Sequence, residues 1–125
     1  MIKATCHCRA VELCVTLSEP LSNARRCDCS FCAMRGAAVV FADVGNVAIL
    51  KGQEHLSCYQ WNTKQEEHYF CKHCGIYTHH RHANPTAGYA VNLAAIEGAH
   101  PKDHDPIPWI DGVNYQPADY TKGRR

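Results

Sequence analysis

The sequence predicts a mainly β protein made of small antiparallel sheets, with an irregular C-terminal tail. Two features of the 125-residue chain indicate this fold. Short segments alternate apolar and polar residues, and turn-forming glycine, asparagine and proline residues separate them. No window carries the sustained 3.6-residue apolar repeat of a long amphipathic helix. A chain of this length buries a modest core, so bound metal ions or cross-links would add useful stability.

The clearest strand is predicted over residues 9–17. Val11, Leu13 and Val15 lie on one face of this segment and Cys14 lies on the other, the period-2 pattern of a half-buried strand. β-branched and aromatic residues bounded by turns predict six further strands, at residues 38–42, 47–50, 56–61, 67–70, 76–79 and 89–93. The chain therefore has strands along most of its length.

Two short helical turns and an irregular tail complete the prediction. Residues 30–36, which end at a glycine, and residues 93–98 are predicted to be the helical turns. From residue 99 onward, prolines interrupt any regular sheet or helix. We predict a single domain over residues 1–125, with its core over about residues 4–98 and a tail over residues 99–125. Four apolar side chains are expected to hold the tail on the core: Ile107, Trp109, Ile110 and Tyr115.

Charge and hydropathy argue against nucleic-acid and membrane partners. The 13 basic and 12 acidic residues give a formal net charge of +1, and no broad basic surface follows from the sequence. The longest apolar stretch, at residues 37–42, is too short to cross a bilayer. Residues 1–5 do not resemble an export signal, so we expect a cytoplasmic protein. The sequence leaves the oligomeric state open and is compatible with a homo-oligomer.

The cysteines are the strongest functional signal. Seven of the nine fall into three groups: Cys6 and Cys8; Cys27, Cys29 and Cys32; and Cys71 and Cys74. An odd total argues against a fully paired disulfide set, and clustered cytosolic cysteines more often bind metal. Zinc is the best candidate, because thiolates select it and tetrahedral coordination uses such closely spaced pairs. Cys14 and Cys58 are expected to be small buried hydrophobic residues.

The three groups can be divided between metal sites in two ways. If Cys6 and Cys8 join the last pair, one zinc ion has four thiolates and the middle group of three keeps a vacant position. If the middle group joins the last pair instead, Cys6 and Cys8 lack two further ligands. We favour the first division, which predicts one structural zinc and one open zinc per chain. The alternative for the middle group is a second structural zinc completed by a histidine, with four candidates: His7, His73, His79 and His80.

An open zinc would bind and deprotonate a thiol or water. Cys29 is the candidate reactive thiolate, since a coordinated thiolate remains nucleophilic. Arg25, Arg26 and Arg35 bracket the middle group and would either offset its negative charge or bind a substrate carboxylate. The alternative is that these arginines are simply solvated.

Two adjacent histidines are candidate proton carriers. His79 and His80 lie on opposite faces of a predicted strand, so at most one of them can face the open site. Histidine titrates near neutral pH, which suits a proton shuttle. The alternative for each is an ordinary surface position.

The order of the motifs resembles the glutathione-dependent formaldehyde-activating enzyme (GFA) and CENP-V family. The motifs are Cys-His-Cys at 6–8, Cys-x-Cys-x-x-Cys at 27–32, Phe-Cys-x-x-Cys-Gly at 70–75 and Val-Asn at 91–92. The resemblance covers roughly residues 4–98 and implies a β-tent of small antiparallel sheets. It also implies a structural zinc bound by Cys6, Cys8, Cys71 and Cys74, and a catalytic zinc bound by Cys27, Cys29 and Cys32.

The activity that this resemblance implies is carbon-sulfur lyase chemistry with glutathione as co-substrate. The leading prediction is a zinc enzyme that acts on glutathione or a similar thiol and a small aldehyde. The alternative is a non-catalytic, zinc-stabilised module that binds glutathione or a partner protein. A chromatin-type role is disfavoured by the balanced charge. The histidine-rich run at residues 78–82 is not required by the family pattern, and its role stays open.

Overall fold

A computed structural model describes residues 1–61 and 64–112 of the chain. The protein is mainly β, as predicted. The described residues form ten strands: β1 (Ile2–Thr5), β2 (Glu12–Val15), β3 (Arg26–Cys27), β4 (Val39–Ala42), β5 (Val47–Lys51), β6 (Leu56–Tyr59), β7 (Glu67–Cys71), β8 (Tyr77–Arg81), β9 (Tyr89–Asn92) and β10 (Trp109–Ile110). All seven predicted strands are among them, and β1, β3 and β10 are additional.

Helical structure is limited to short turns. Within the described residues, α1 (Ser30–Arg35) is the α-helix, and Gly36 ends it with a φ of 72°. The second predicted helical turn is a 3₁₀ turn at Leu93–Ala95, and the other 3₁₀ turns are Leu21–Asn23, Gln53–His55, Pro85–Ala87 and Pro101–His104. No helix in residues 1–61 and 64–112 has the length and hydropathy of a membrane span.

The strands form two antiparallel sheets and one short parallel pair. The first sheet has the order β1-β2-β5, and the second has the order β4-β9-β8-β7-β6. In the first sheet Leu13 lies opposite Ala4 on β1 and Ile49 on β5. The parallel pair joins β3 to β10 and sets Ile110 beside Cys27. The small antiparallel sheets confirm the predicted fold class.

The core lies between the two sheets. Val11, Leu13 and Val15 are fully buried, as their alternation predicts, and they pack in one cluster with Val40 of β4 and Val91 of β9. Burial of an aliphatic side chain of this size contributes roughly 1.5–3 kcal/mol. This cluster therefore holds the second sheet, which carries much of the site described below, against the first.

The expected burial of the two isolated cysteines is wrong. Cys14 is half-buried and Cys58 is exposed. β6, which carries Cys58, is the last strand of its sheet and has a neighbouring strand, β7, on one side only. An outer strand of this kind leaves its thiol open to solvent.

The tail is more regular than predicted. Ile107 is buried, as expected, and anchors the tail by its side chain. Trp109 and Ile110 are 55% and 40% exposed, so apolar burial is not what holds them. They form β10 and are held instead by backbone pairing with β3. The fourth predicted anchor, Tyr115, lies outside the described residues.

Candidate metal and catalytic site

Four cysteines from two distant parts of the sequence converge into what we call the closed cluster: Cys6, Cys8, Cys71 and Cys74. Their Sγ atoms all lie within 4.8 Å of one another. The Sγ of Cys8 lies 3.7 Å from the Sγ of Cys6 and 3.7 Å from that of Cys71. Four sulfurs at about 2.3 Å from a tetrahedral zinc would be separated by about 3.8 Å. The donor set and its spacing therefore fit zinc.

A backbone turn in each cysteine pair directs these sulfurs inward. The N–H of Val11 donates to the Sγ of Cys6 at 3.3 Å, and the N–H of His73 donates to the Sγ of Cys71 at 3.4 Å. Gly75 has a φ of 78°, the left-handed conformation that the position of glycine after the second cysteine suggests. Backbone N–H groups of this kind stabilise thiolate charge without any cationic side chain.

The middle group, which we call the trio, consists of Cys27 at the end of β3, Cys29 before α1 and Cys32 inside α1. Its three Sγ atoms also lie within 4.8 Å of one another. In the described part of the chain, no further Cys, His, Asp or Glu donor joins this group. Three thiols with no fourth protein donor are the arrangement that the favoured division of the cysteines predicts.

Cys29 is the thiol of the trio that ionises first. It caps the N-terminus of α1, where its Sγ accepts the N–H of Cys32 at 3.4 Å. Hydrogen bonds from the thiols of Cys27 and Cys32 lower the pKa of Cys29 to about 2. The same contact with Cys29 raises the pKa of Cys27 to about 11, and contacts within the trio also raise that of Cys32. Negative charge in the trio is therefore centred on Cys29.

Residues 108–112, which we call the strap, lie against the trio. The N–H of Asp28 donates to the carbonyl of Ile110 at 3.1 Å, and the N–H of Gly112 donates to Oδ1 of Asp28 at 2.8 Å. A Cβ atom added to Gly112 would lie 1.9 Å from the Sγ of Cys27. Glycine is thus required at this point by the closeness of the trio, a constraint that sequence patterns alone did not reveal.

A cavity of about 200 Å³, which we call the trio cavity, opens beside the three thiols. Besides the trio, its lining includes Arg35, Glu66, His80 and Asp111. The cavity therefore places thiols, carboxylates, a guanidinium and an imidazole around one small space.

Arg35 is the predicted arginine that reaches this cavity. Its Nη2 donates to the Sγ of Cys32 at 3.5 Å. Its guanidinium carbon lies 3.6 Å from the ring centre of Tyr77 and 4.5 Å from that of Phe31. Two aromatic rings therefore position the guanidinium so that it offsets the negative charge of the trio.

The structure does not bring the other two predicted arginines to the cavity. Arg25 pairs with the Glu19 carboxylate at 2.6 Å, and its guanidinium lies over the ring of Phe41. Arg26 donates from Nε to the carbonyl of Gly36 at 3.1 Å. Neither side chain is simply solvated, because each is engaged by groups that support the local fold.

The two adjacent histidines lie on opposite faces of β8, as expected. His80 lines the trio cavity, and its Nδ1 lies 2.6 Å from the hydroxyl of Tyr77. His79 stacks on Tyr69 at 4.8 Å, on the side away from the cavity, and its Nδ1 lies 2.8 Å from Oγ1 of Thr78. Both are buried, so the surface alternative is wrong. Burial lowers the pKa of His79 to about 4 and holds that of His80 well below its usual value.

The other candidate histidine ligands lie elsewhere. His7 is exposed. His73 is also exposed, and its Nε2 lies 2.9 Å from Nδ1 of His55. Neither one joins the trio as a fourth donor, and the same holds for His79 and His80.

Sequence analysis missed two residues next to the cavity. Glu66 and His68 are 7% and 1% exposed, and His68 lies opposite His80 across β7 and β8. The signal that could have identified them is their spacing, because alternate positions of a strand share one face. Phe70, on the same side of the alternation, is a conventional apolar residue that obscures this pattern.

Comparison with known proteins agrees with this arrangement. The family model described as glutathione-dependent formaldehyde-activating enzyme matches residues 1–108. A crystal structure of a Rhodobacter sphaeroides protein, a structural-genomics target, superposes with a TM-score of 0.83 at 46% sequence identity. That match covers 87% of this chain and 100% of the other. With its cysteine motifs in the family order and most of its length matched, the chain belongs to the glutathione-dependent formaldehyde-activating enzyme family.

Proposed function

We propose that this protein is a zinc-dependent carbon-sulfur lyase of the glutathione-dependent formaldehyde-activating type. It would join the thiol of glutathione, or of a similar molecule, to a small aldehyde. The observation that carries the proposal is the trio, whose three thiols line a cavity with no fourth protein donor among the described residues. A metal with one open position is what chemistry requires, whereas a four-thiolate site is structural.

The donor sets support two zinc ions per chain. Both consist entirely of thiols, which select zinc over magnesium, calcium or manganese. Cys6, Cys8, Cys71 and Cys74 would hold the structural ion, and Cys27, Cys29 and Cys32 would hold the open one. An open zinc supplies acidification of a bound thiol or water and polarisation of a carbonyl oxygen.

Arg35 is the cavity's own cationic group. Its contact with Cys32 offsets the negative charge of the trio, and its remaining N–H groups are suited to a substrate carboxylate. Arg25 and Arg26 were predicted to share this role, but we assign it to Arg35 alone because the other two are engaged away from the cavity.

His80 is a neutral imidazole at the cavity. Burial raises the pKa of the Tyr77 hydroxyl well above its usual value, so the hydroxyl keeps its proton. The Glu66 carboxylate, which accepts hydrogen bonds, faces Nε2 of His80, so we assign the Tyr77 hydroxyl as the donor to Nδ1. The imidazole proton then lies on Nε2. We propose that His80 contributes to proton handling through this atom and assign no step to His79, which lies on the other face of β8.

The size of the cavity supports a small aldehyde. Pockets for drug-sized ligands measure about 300–1,000 Å³, whereas the trio cavity measures about 200 Å³. It accommodates the reacting thiol and a short aldehyde, and the body of a tripeptide thiol would lie outside it.

We further propose a cytoplasmic location, which agrees with the absence of a disulfide among the nine cysteines of the described residues.

The test compares metal content and turnover. Zinc per chain is measured by elemental analysis, and the interconversion of formaldehyde, glutathione and their adduct by exchange NMR. The wild type is expected to hold two zinc ions and to accelerate the reaction. Cys29→Ser should hold about one ion and fall to the uncatalysed rate, while Cys58→Ser, an exposed thiol outside both clusters, should match the wild type. Saturable glutathione binding by a wild type that does not accelerate the reaction would reject the enzyme in favour of a binding module.

A further inference from the structure

A buried carboxylate faces two neighbouring imidazoles at the wall of the trio cavity. Glu66 is 7% exposed and lines the cavity. Its Oε1 lies 3.4 Å from Nε2 of His68, and its Oε2 lies 4.0 Å from Nε2 of His80. The two imidazole rings are 4.6 Å apart. Each oxygen of the Glu66 carboxylate therefore faces the Nε2 atom of a different imidazole.

The contact on the far side of His68 determines which nitrogen carries its proton. Nδ1 of His68 lies 3.2 Å from Nη1 of Arg35. A guanidinium can only donate hydrogen bonds, so Nδ1 must accept and carries no proton. The proton of the neutral imidazole therefore lies on Nε2, the atom that faces Glu66.

His80 presents the same atom in the same direction. Oε2 of the Glu66 carboxylate, which can only accept, faces Nε2 of His80, so we place the His80 proton on Nε2, and Nδ1 then accepts from the hydroxyl of Tyr77. The separations of 3.4 Å and 4.0 Å exceed those of formed hydrogen bonds. Catalytic contacts of this kind are often long without substrate and tighten in the complex. Two N–H groups therefore orient the carboxylate, which lines the cavity where a substrate would bind.

We infer that Glu66 is a catalytic residue that carries the proton from the thiol to the aldehyde oxygen, with His68 and His80 as its positioning residues. The inference rests on the proposed function. As the carbon–sulfur bond forms, the electron pair of the carbonyl π bond moves to oxygen. The proton leaves sulfur for the Glu66 carboxylate and is then delivered to that oxygen. The products are the hydroxymethyl thioether and the original carboxylate, and neither an oxidant nor a reductant is consumed.

The first test compares Glu66→Gln with Glu67→Gln. Glu67 is the neighbouring residue in sequence, but its carboxylate pairs with Arg81 at 3.1 Å and accepts from the hydroxyl of Tyr69 at 2.8 Å. General acid–base groups typically contribute 10²- to 10⁴-fold, so we expect Glu66→Gln to slow turnover by about 100-fold or more. Glu67→Gln should stay near the wild-type rate. Zinc content and circular dichroism check that both variants are folded and loaded.

Chemical rescue separates a catalytic role from a structural one. Glu66→Ala leaves space where formate can enter, and added formate should restore turnover in proportion to its concentration. Glu66→Gln still fills that space, so formate should leave it slow. Absence of rescue, or a Glu66→Gln rate within threefold of the wild type, would overturn the inference about Glu66. The proposed function would survive that result, because the wild type would still be active. An inactive wild type would instead remove the proposed function and this role together.

A measurement without turnover tests the positioning residues. Nitrogen-15 NMR distinguishes the two neutral imidazole tautomers, and the Nε2–H form is expected for His68 and His80 in the wild type. Glu66→Asp, which keeps the carboxylate, should perturb both resonances, whereas Glu67→Gln should perturb neither. An Nδ1–H tautomer at His68 would contradict the arrangement even if every Glu66 variant failed to fold.

Discussion

The closed cluster and the trio use the same ligand atom but are built from different distances along the chain. Cys8 and Cys71 are 63 residues apart and lie 3.7 Å from each other, whereas the trio is contained within residues 27–32. A cross-link that closes a long loop restricts the unfolded chain more than a local one does. The closed cluster is therefore suited to stabilising the fold, and the trio can change its occupancy at little cost to the fold.

The groups around the two clusters also differ, and they differ in a way that suits one cluster to stability and the other to a reaction. Backbone N–H groups of Val11 and His73 donate to the closed cluster. The trio also has such a donor, the N–H of Cys32, and in addition faces Arg35, Glu66 and His80 across a small cavity. Fixed backbone donors complete a structural site, while ionisable side chains beside an open site provide charge and protons for a reaction. In the function that we propose, the same donor chemistry serves two purposes because of what lies around it.

The largest expected effect is the loss of folding in Cys71→Ser. This thiol is fully buried in the closed cluster, and structural zinc contributes about 10–16 kcal/mol in small zinc-finger peptides. We expect no cooperative thermal transition by circular dichroism, while Cys58→Ser should melt like the wild type. A Cys71→Ser variant that melts within a few degrees of the wild type would show that the closed cluster does not stabilise the fold.

A selective effect on the trio is expected for Gly112→Ala. The new Cβ would lie 1.9 Å from the Sγ of Cys27, so the strap or the thiol must move. Overpacking of this kind costs about 1–3 kcal/mol, which corresponds to about 5- to 150-fold weaker zinc binding at the trio. Competition with a chromophoric chelator would measure the two zinc ions separately. Equal weakening of zinc binding at both clusters would contradict the expectation that the substitution affects the trio alone.

A smaller effect should distinguish Arg35 from Arg25. Lysine cannot reproduce the planar group that contacts both Cys32 and His68, so Arg35→Lys should lower turnover by roughly 10-fold. Arg25→Lys should lower the free energy of unfolding by about 1–2 kcal/mol through its weakened pair with Glu19. Its turnover should be unchanged. Turnover rates and urea unfolding of the two variants would show whether Arg35 alone acts at the cavity, and equal losses of turnover would refute this.

The smallest predicted effect concerns His79, which lies near neither cluster. Burial lowers its pKa to about 4, from 6.5 in the unfolded chain. The unfolded chain therefore binds a proton that the folded protein excludes, and stability falls as the pH drops from about 6.5 toward 4. When the pH is lowered from 7 to about 5.5, the free energy of unfolding should fall by about 1 kcal/mol less in His79→Phe than in the wild type. Urea unfolding of both proteins measures this difference, and parallel pH slopes would contradict it.

Local patterns in the sequence predicted local features well. Alternation at Val11, Leu13 and Val15 identified a strand and its buried face, because side chains of a strand alternate between faces regardless of what covers them. The glycine predicted to end the helical turn at residues 30–36 does end α1, where it adopts a positive φ. β3 and β10 were missed because a two-residue strand has no periodicity to detect.

The sequence by itself determined which residues can bind metal, since closely spaced cysteines present their sulfurs together through local backbone geometry alone. It also indicated the family, through the order of those groups. The tertiary structure decided between the two possible divisions of the cysteine groups, because residues 63 apart are joined by sheet pairing and core packing. The same packing placed Glu66 opposite two imidazoles, selected Arg35 from three arginines and set Gly112 against Cys27. Contacts across a folded core depend on long-range arrangement, and no spacing along the chain encodes them.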